Sequence, residues 1–221
     1  TTLRDGCQAE DVSYTVEDKL RLAERLDEFG VRYIEGGWPG SNPRDEAFFQ
    51  AAKSLSLQTA QLAAFGSTRR AGSRVEDDRN IHMLLRAETP VITIFGKTWD
   101  MHVREDLRIP LEENYAVIYD TIAYLKRHGK TVIFDAEHFF DGHRANAQFA
   151  IECCRMAADG GADLICLCDT NGGRLPTEIA AGVDAVRAAI DAPVGIHCHN
   201  DSELAVANSL IAVEHGAVQV Q

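Results

Sequence analysis

The sequence is short of several things that would have named a function class at once. None of the six cysteines forms a Cys-x-x-Cys pair, so neither a zinc ribbon nor a dithiol redox motif is in view. No apolar run approaches the roughly 18 to 20 residues that a membrane-crossing helix needs. Basic residues are outnumbered, 22 Lys and Arg against 34 Asp and Glu, for a formal net charge of −12. That argues against nucleic acid or an anionic membrane as partner. The Gly-x-Gly-x-x-Gly signature of dinucleotide-binding sheets is missing. Gly36-Gly37-Trp38-Pro39-Gly40 is glycine-rich but has the wrong spacing and opens no helix directly. Linkers and low-complexity stretches are lacking too, so one domain over residues 1–221 is expected. With no secretory signal, Cys153, Cys154, Cys166 and Cys168 read as buried free thiols in a reducing cytoplasm.

What is present is an ordinary globular composition, 45% hydrophobic and 25% charged over 221 residues, which excludes a disordered tail, a collagen or a disulfide miniprotein. One unit recurs: an amphipathic helix, a glycine, then a short apolar strand. Gly30 precedes Val31–Glu35, Gly129 precedes Lys130–Phe134, Gly160-Gly161 precedes Asp163–Cys168, and Gly216 precedes Ala217–Val220. Glycine supplies the left-handed residue that ends a helix, and the β-branched run after it suits a strand buried on both faces. Further strands are expected at Thr59–Phe65, Pro90–Phe95 and Pro193–His197, with an opening one at Thr1–Arg4, for eight in all. Between them lie helical stretches such as Val16–Phe29, where Leu20, Ala23, Leu26 and Phe29 share one face. Strand starts fall roughly every 24 to 40 residues, the length of a βα unit. Eight such units make a parallel sheet, and the reading favours a closed (β/α)8 TIM barrel over an open doubly wound sheet. Because the chain opens on Thr1 inside one expected strand and stops at Gln221 in another, the barrel is expected to be truncated at both ends.

In a parallel barrel, function collects at the carboxyl ends of the strands. Those ends here read Arg4-Asp5-Gly6, Glu35-Gly36-Gly37, Gly96-Lys97, Asp135-Ala136-Glu137-His138, Asp169-Thr170-Asn171 and His197-Cys198-His199-Asn200-Asp201. Alternate strand residues share a face, so His197 and His199 project together and Cys198 points away. Two imidazoles so held make a chelate for a divalent cation, although a structural role explains an isolated His-x-His equally well. Asp5 is the candidate third ligand: the opening and seventh expected strands are both odd-numbered, and alternate strands feed the same layer of a closed barrel. One carboxylate on a divalent ion, with Arg4 beside it, leaves positive charge suited to a small anion such as a 2-oxo acid, whose ketone the cation would polarise. Otherwise Arg4 and Asp5 are a local ion pair.

Thr1-Thr-Leu-Arg-Asp-Gly6 with Gln8, together with Gly195-Ile-His-Cys-His-Asn-Asp201, resembles the isopropylmalate, homocitrate and citramalate synthases of the DRE-TIM metallolyase group. Agreement runs through Tyr33–Pro43, Phe65–Arg70, Thr93–Asp100 and Cys168–Gly173, so it covers nearly the whole chain. Gly36–Pro43 and Phe95–Asp100 look most like the (R)-citramalate synthase branch. The resemblance implies a Claisen condensation of acetyl-CoA with pyruvate, or another 2-oxo acid, in branched-chain amino-acid biosynthesis. It matches Asp5, His197 and His199 to metal ligands (Zn, Mn or Mg). It matches Arg4 to the arginine that binds and polarises the keto acid, Glu137 to a glutamate of substrate positioning or proton handling, and Thr170 to a threonine holding the substrate carboxylate. It implies a homodimer. It also puts a further metal ligand, an asparagine, and accessory segments beyond Gln221. Within the group the alternatives are isopropylmalate or homocitrate synthesis and hydroxymethylglutaryl-CoA cleavage; outside it, a metal-binding fragment without turnover.

Other candidates stay open. Glu35 is either a partner for Arg4 or a ligand, or a structural ion pair. Lys97, Arg69 and Arg70 are either contacts for the CoA phosphates or solvated loop residues. Trp38 and Trp99 either wall a pocket or pack. His82, His102, His128 and His215 lack a converging carboxylate and receive no role, and His138 and His143 are unassigned. Asn200 and Asp201 are placed to cap the helix that follows.

Overall fold

The computed structural model describes residues 1–221. Seven strands run in parallel and in sequence order: β1 (Tyr33–Gly37), β2 (Gln61–Ser67), β3 (Val91–Lys97), β4 (Thr131–Glu137), β5 (Leu164–Asp169), β6 (Val194–Cys198) and β7 (Gln219–Val220). Each is hydrogen-bonded to its sequence neighbour, so every connection is a right-sized crossover, and the helices α1 (Val16–Phe29), α2 (Pro43–Ala52) and α3 (Arg79–Arg86) begin the outer layer. A single turn, α4 (Asp100–His102), then leads through a π-helical turn to α5 (Leu111–Arg127). The layer continues with α6 (Phe139–Asp159), α7 (Pro176–Ala189) and α8 (Ala205–Glu214). The helix-glycine-strand punctuation is borne out, because Gly30, Gly129, Gly161 and Gly216 all adopt positive φ, between 72° and 95°. No helix is long and apolar enough to cross a membrane.

The sheet curls into an open barrel. Tyr33, Ala63, Thr93, Ile133 and Gln219, from five strands including both edges, line one cavity at its amino end. Most of the apolar burial lies outside this curl: a cluster of 38 buried residues fills the space between sheet and helices, against 6 in a second cluster with Ala63, Val91, Ile133 and Leu164. The curl interior is therefore left to a mixed lining. Along β4 the inward series is Ile133, Asp135, Glu137, apolar at the amino end and charged toward the carboxyl end, as a period of two dictates.

Two expectations need correcting. Thr1–Arg4 is not a strand. The Thr1 carbonyl accepts from the N–H groups of Arg4, Asp5 and Gly6 at 3.0, 2.9 and 3.2 Å, so the segment winds into a turn and enters a 3-10 helix at Gly6–Gln8. Its hydrogen bonds are spent locally, and β1 and β7 stay unpaired with each other. Phe29, expected on the buried stripe of α1, is 84% exposed. The inward place in that last turn belongs to Asp27, four residues after the buried Ala23, whose carboxylate accepts from the N–H groups of Gln58, Thr59 and Ala60 at 2.6 to 2.8 Å. Those three bonds, that from Gln58 foremost, hold the carboxyl below its usual range.

Candidate metal centre and substrate cleft

A cleft of about 370 Å³ opens at the carboxyl ends of the strands. Arg4, Asp5, Glu137, Thr170, His197 and His199, the six residues read as the site, all line it. β6 delivers the two histidines: His197 is buried on its inner face, and His199 follows one alternation later with Cys198 between them facing the helices. Their ring centroids are 4.9 Å apart. Asp5 meets both, its Oδ2 lying 3.2 Å from His197 Nε2 and 3.2 Å from His199 Nε2. The turn at Thr1–Gly6, rather than an odd-numbered strand, aims that carboxylate inward.

Hydrogen bonds from His197 and then His199 hold the Asp5 carboxyl far below its ordinary value, and the same bond raises His199. One carboxylate oxygen and two imidazole nitrogens, all within 4.8 Å of one another, form the mixed oxygen and nitrogen donor set that a borderline divalent cation takes. The residues therefore fit the cation that the sequence motif implies.

Arg4 stands beside this group with its orientation fixed from three sides. Nε donates to Glu35 Oε2 at 2.9 Å, Nη1 donates to Asp5 Oδ1 at 3.0 Å, and the guanidinium carbon lies 3.7 Å over the Phe65 ring. Glu35 is thus the partner of Arg4, one of the two readings left open. Phe65 stacks on Phe95 at 5.3 Å, and Trp38 stands edge-on to both, so three aromatic rings wall the cleft next to the arginine.

Glu137 ends β4 with its carboxylate 2.7 Å from Lys97 Nζ, at the position of β3 opposite it in register. Lys97 is therefore spent on Glu137. Thr170 Oγ1 accepts the His138 N–H at 2.9 Å, which ties the loop after β5 to the one after β4. Asp141 ties the same loops again, accepting from His138 Nδ1, Asn171 Nδ2 and Arg174 Nη2 at 2.9 to 3.2 Å.

Other candidates fall outside the cleft. Arg69 is buried against Asp120 at 2.8 Å and donates to the carbonyls of Arg70 and Ser73, a structural anchor with no guanidinium face to spare for a phosphate. Arg70 is exposed on that same loop. Trp99 packs on His102 with centroids 4.7 Å apart and does not line the cleft. His138 lies 4.6 Å from His102, and His143 stacks on Phe139. Contrary to expectation His215 does have a carboxylate, Asp184 at 2.9 Å, but on the protein surface. His82 and His128 hydrogen-bond to backbone carbonyls, and His128 also packs on the Tyr124 ring at 4.3 Å. Of the two expected capping residues, Asn200 accepts through Oδ1 from Ala205 N at 3.2 Å at the start of α8, and Asp201 accepts from none of its N–H groups. Burial pushes the Cys166 thiol well above its usual value, in line with a neutral interior thiol.

Sequence reasoning passed over three features. Asp135, 3% exposed, is pushed up to about 7 by burial, with Glu35 adding to the effect. Gln221 bridges Asp135 and His197. Lys19, 1% exposed, lies against the cleft wall with Nζ 2.7 Å from Asp45 and donating to the Gly36 carbonyl at 2.9 Å. The one available signal was a carboxylate at every inward position of a β4 end that is otherwise apolar.

Residues 1–221 match the family described as HMGL-like. Among its relatives, the (R)-citramalate synthase of Geobacter sulfurreducens is 59% identical over 221 residues, and that of Aquifex aeolicus 57%. A probable 2-isopropylmalate synthase of Methanopyrus kandleri is 38% identical over 220 residues. In each case the match takes in 100% of this chain and 42% of the relative, so the chain spans less than half the length of the proteins it resembles. Among solved structures, a hydroxymethylglutaryl-CoA lyase of Bacillus subtilis superposes with a TM-score of 0.80 at 19% identity, covering 99% of this chain and 73% of that one. That likeness is one of fold.

Proposed function

The chain belongs to the HMGL-like family, and on that premise we propose that it carries the catalytic barrel of an (R)-citramalate synthase. Acetyl-CoA, pyruvate and water give citramalate and free CoA: a carbon–carbon bond forms between the acetyl methyl carbon and the keto carbon, and water takes the thioester. The observation that carries most weight is the meeting of Asp5 with both His197 and His199 at 3.2 Å, directly beside a fixed Arg4. Asp5, His197 and His199 would hold a divalent cation, Zn, Mn or Mg, and such an ion supplies Lewis-acid polarisation of the 2-oxo acid.

The protein's own groups divide the remaining work. Glu35 and Asp5 engage Nε and Nη1 of Arg4, so Nη2 is the nitrogen left to donate to a substrate oxygen where negative charge develops. Thr170 Oγ1 already accepts from the His138 N–H, so its own proton is left to donate, as a substrate carboxylate requires. Glu137, steadied by Lys97, is an acceptor facing the same cleft and suits proton handling. Trp38, Phe65 and Phe95 wall the cleft beside Arg4 with apolar surface, which suits a small alkyl substituent such as the methyl of pyruvate. A single-domain barrel, a homodimer and a cytoplasmic location belong to the same proposal.

The test is thiol release from acetyl-CoA by the full-length protein, with and without divalent metal. Release is expected with pyruvate and metal together and with neither alone. No release with pyruvate, 2-oxoisovalerate or 2-oxoglutarate would refute condensation, and cleavage of a 3-hydroxy-3-methylglutaryl thioester without any 2-oxo acid would replace it with a lyase.

A further inference from the structure

An imidazole can bind a cation through one nitrogen only, so the proton on the other needs a defined acceptor. For His197 the geometry names it. Nε2 faces Asp5 Oδ2 at 3.2 Å, and Nδ1 lies 3.2 Å from Gln221 Oε1. The far end of the same amide, Gln221 Nε2, donates to Asp135 Oδ1 at 3.1 Å. A primary amide has a donor end and an acceptor end. Asp135, 3% exposed on the inner face of β4, offers it Oδ1, an acceptor whether the carboxyl is ionised or holds its proton on the other oxygen. It takes the NH2 end, which turns the carbonyl oxygen toward the imidazole. An amide oxygen only accepts, so Nδ1 must carry the hydrogen.

We propose that Gln221, oriented by Asp135, is a positioning residue that holds a proton on His197 Nδ1, so that Nε2, hydrogen-bonded to Asp5 in the metal-free protein, is the nitrogen left to the cation shared with Asp5 and His199. It acts through His197 and touches no substrate. The direction of the relay is decided at the buried carboxylate, two residues away from the cleft's own Glu137. β4, which pairs with neither β6 nor β7, is thereby joined to both beneath the site by three side chains. This inference rests on reading Asp5, His197 and His199 as a cation site.

Two measurements test it. In the protein labelled with 15N at histidine, His197 Nδ1 is expected to carry a protected proton in both the metal-free and the zinc-loaded state. That signal is lost in Gln221→Leu. A chelator competition with Zn2+ or Mn2+ is expected to show affinity falling roughly 10- to 100-fold in Gln221→Leu. The double variant Gln221→Glu with Asp135→Asn keeps the relay in reverse, the introduced amide donating to the introduced carboxylate, which still accepts from Nδ1. It is expected to recover most of the lost affinity, which a packing role for Gln221 would not bring about. A bare Nδ1 in the wild type, or unchanged affinity in Gln221→Leu, overturns the proposal. If the wild type takes up no divalent ion, the cation reading falls, and the Nδ1 proton by itself then decides whether Gln221 orients His197.

Discussion

Asp5 and His199 stand 194 positions apart in the chain and meet with 3.2 Å between Oδ2 and Nε2. No strand pairing brings them there, since β1 and β7 are not hydrogen-bonded to each other. The contact is made by a turn at one end of the chain and a strand end near the other, reaching across the open side of the curl. Arg4 extends it to β1 through Glu35. The side chains of the site thus tie the turn before α1 both to β1 and to the end of β6.

Arg4→Lys tests the fork geometry. A lysine cannot reach Glu35 and Asp5 in two directions while also presenting a third donor. Turnover is expected to drop by about 100-fold, with divalent metal bound as in the wild type. Wild-type kcat would remove Arg4 from the chemistry.

Phe95→Ala opens the aromatic wall while leaving the ring under Arg4 in place. Discrimination worth one methylene in an apolar pocket is roughly 10- to 200-fold. The kcat/KM ratio of 2-oxobutanoate to pyruvate is therefore expected to rise about tenfold. An unchanged ratio would mean that these rings do not face the substrate's side chain.

Asp135 predicts a pH dependence with a definite sign. Its folded value near 7 lies above the usual 3.8. Between those values the folded protein holds a proton that the unfolded chain has released. Stability from this group is therefore fully present at low pH and is lost as pH rises toward 7. In urea unfolding of the metal-free protein, the wild type is expected to lose stability relative to Asp135→Asn over that range, by up to about 1.4 kcal/mol per pH unit. Parallel profiles for the two proteins would contradict it.

Lys19→Met leaves the Asp45 carboxylate without its buried cation and the Gly36 carbonyl without its donor. Removing one partner of such a pair costs about 3–5 kcal/mol. Because Asp45 Oδ2 also accepts from Trp38 N at 2.9 Å, the loop bearing Trp38 is expected to loosen as well. Urea unfolding and hydrogen exchange at Trp38 measure the two effects, and a loss under 1 kcal/mol would show the pair to be incidental.

The sequence by itself determined the parts that depend on neighbours along the chain. Period-two alternation put His197 and His199 on one side of the β6 end, glycines after helices marked where β1, β4, β5 and β7 would follow, and the acidic strand ends marked the functional side of the sheet. Local pattern misjudged Thr1–Arg4, because whether β-branched residues make a strand depends on having a neighbour to pair with, and here the Thr1 carbonyl gathers three N–H groups instead. It misjudged Phe29 because a buried acid with three N–H donors from another segment outcompetes a phenyl ring for the inward position.

The tertiary structure decided which polar residues face one another. Asp5 reaches the histidines, Lys97 is committed to Glu137, Arg69 is withdrawn to Asp120, and Gln221 links Asp135 to His197. Each of these is a pairing between residues far apart in sequence, with at least one partner withdrawn from solvent, where a charge or a polar hydrogen without its partner is costly. Such pairings follow from the curl of the sheet, which sets distances that no local pattern encodes.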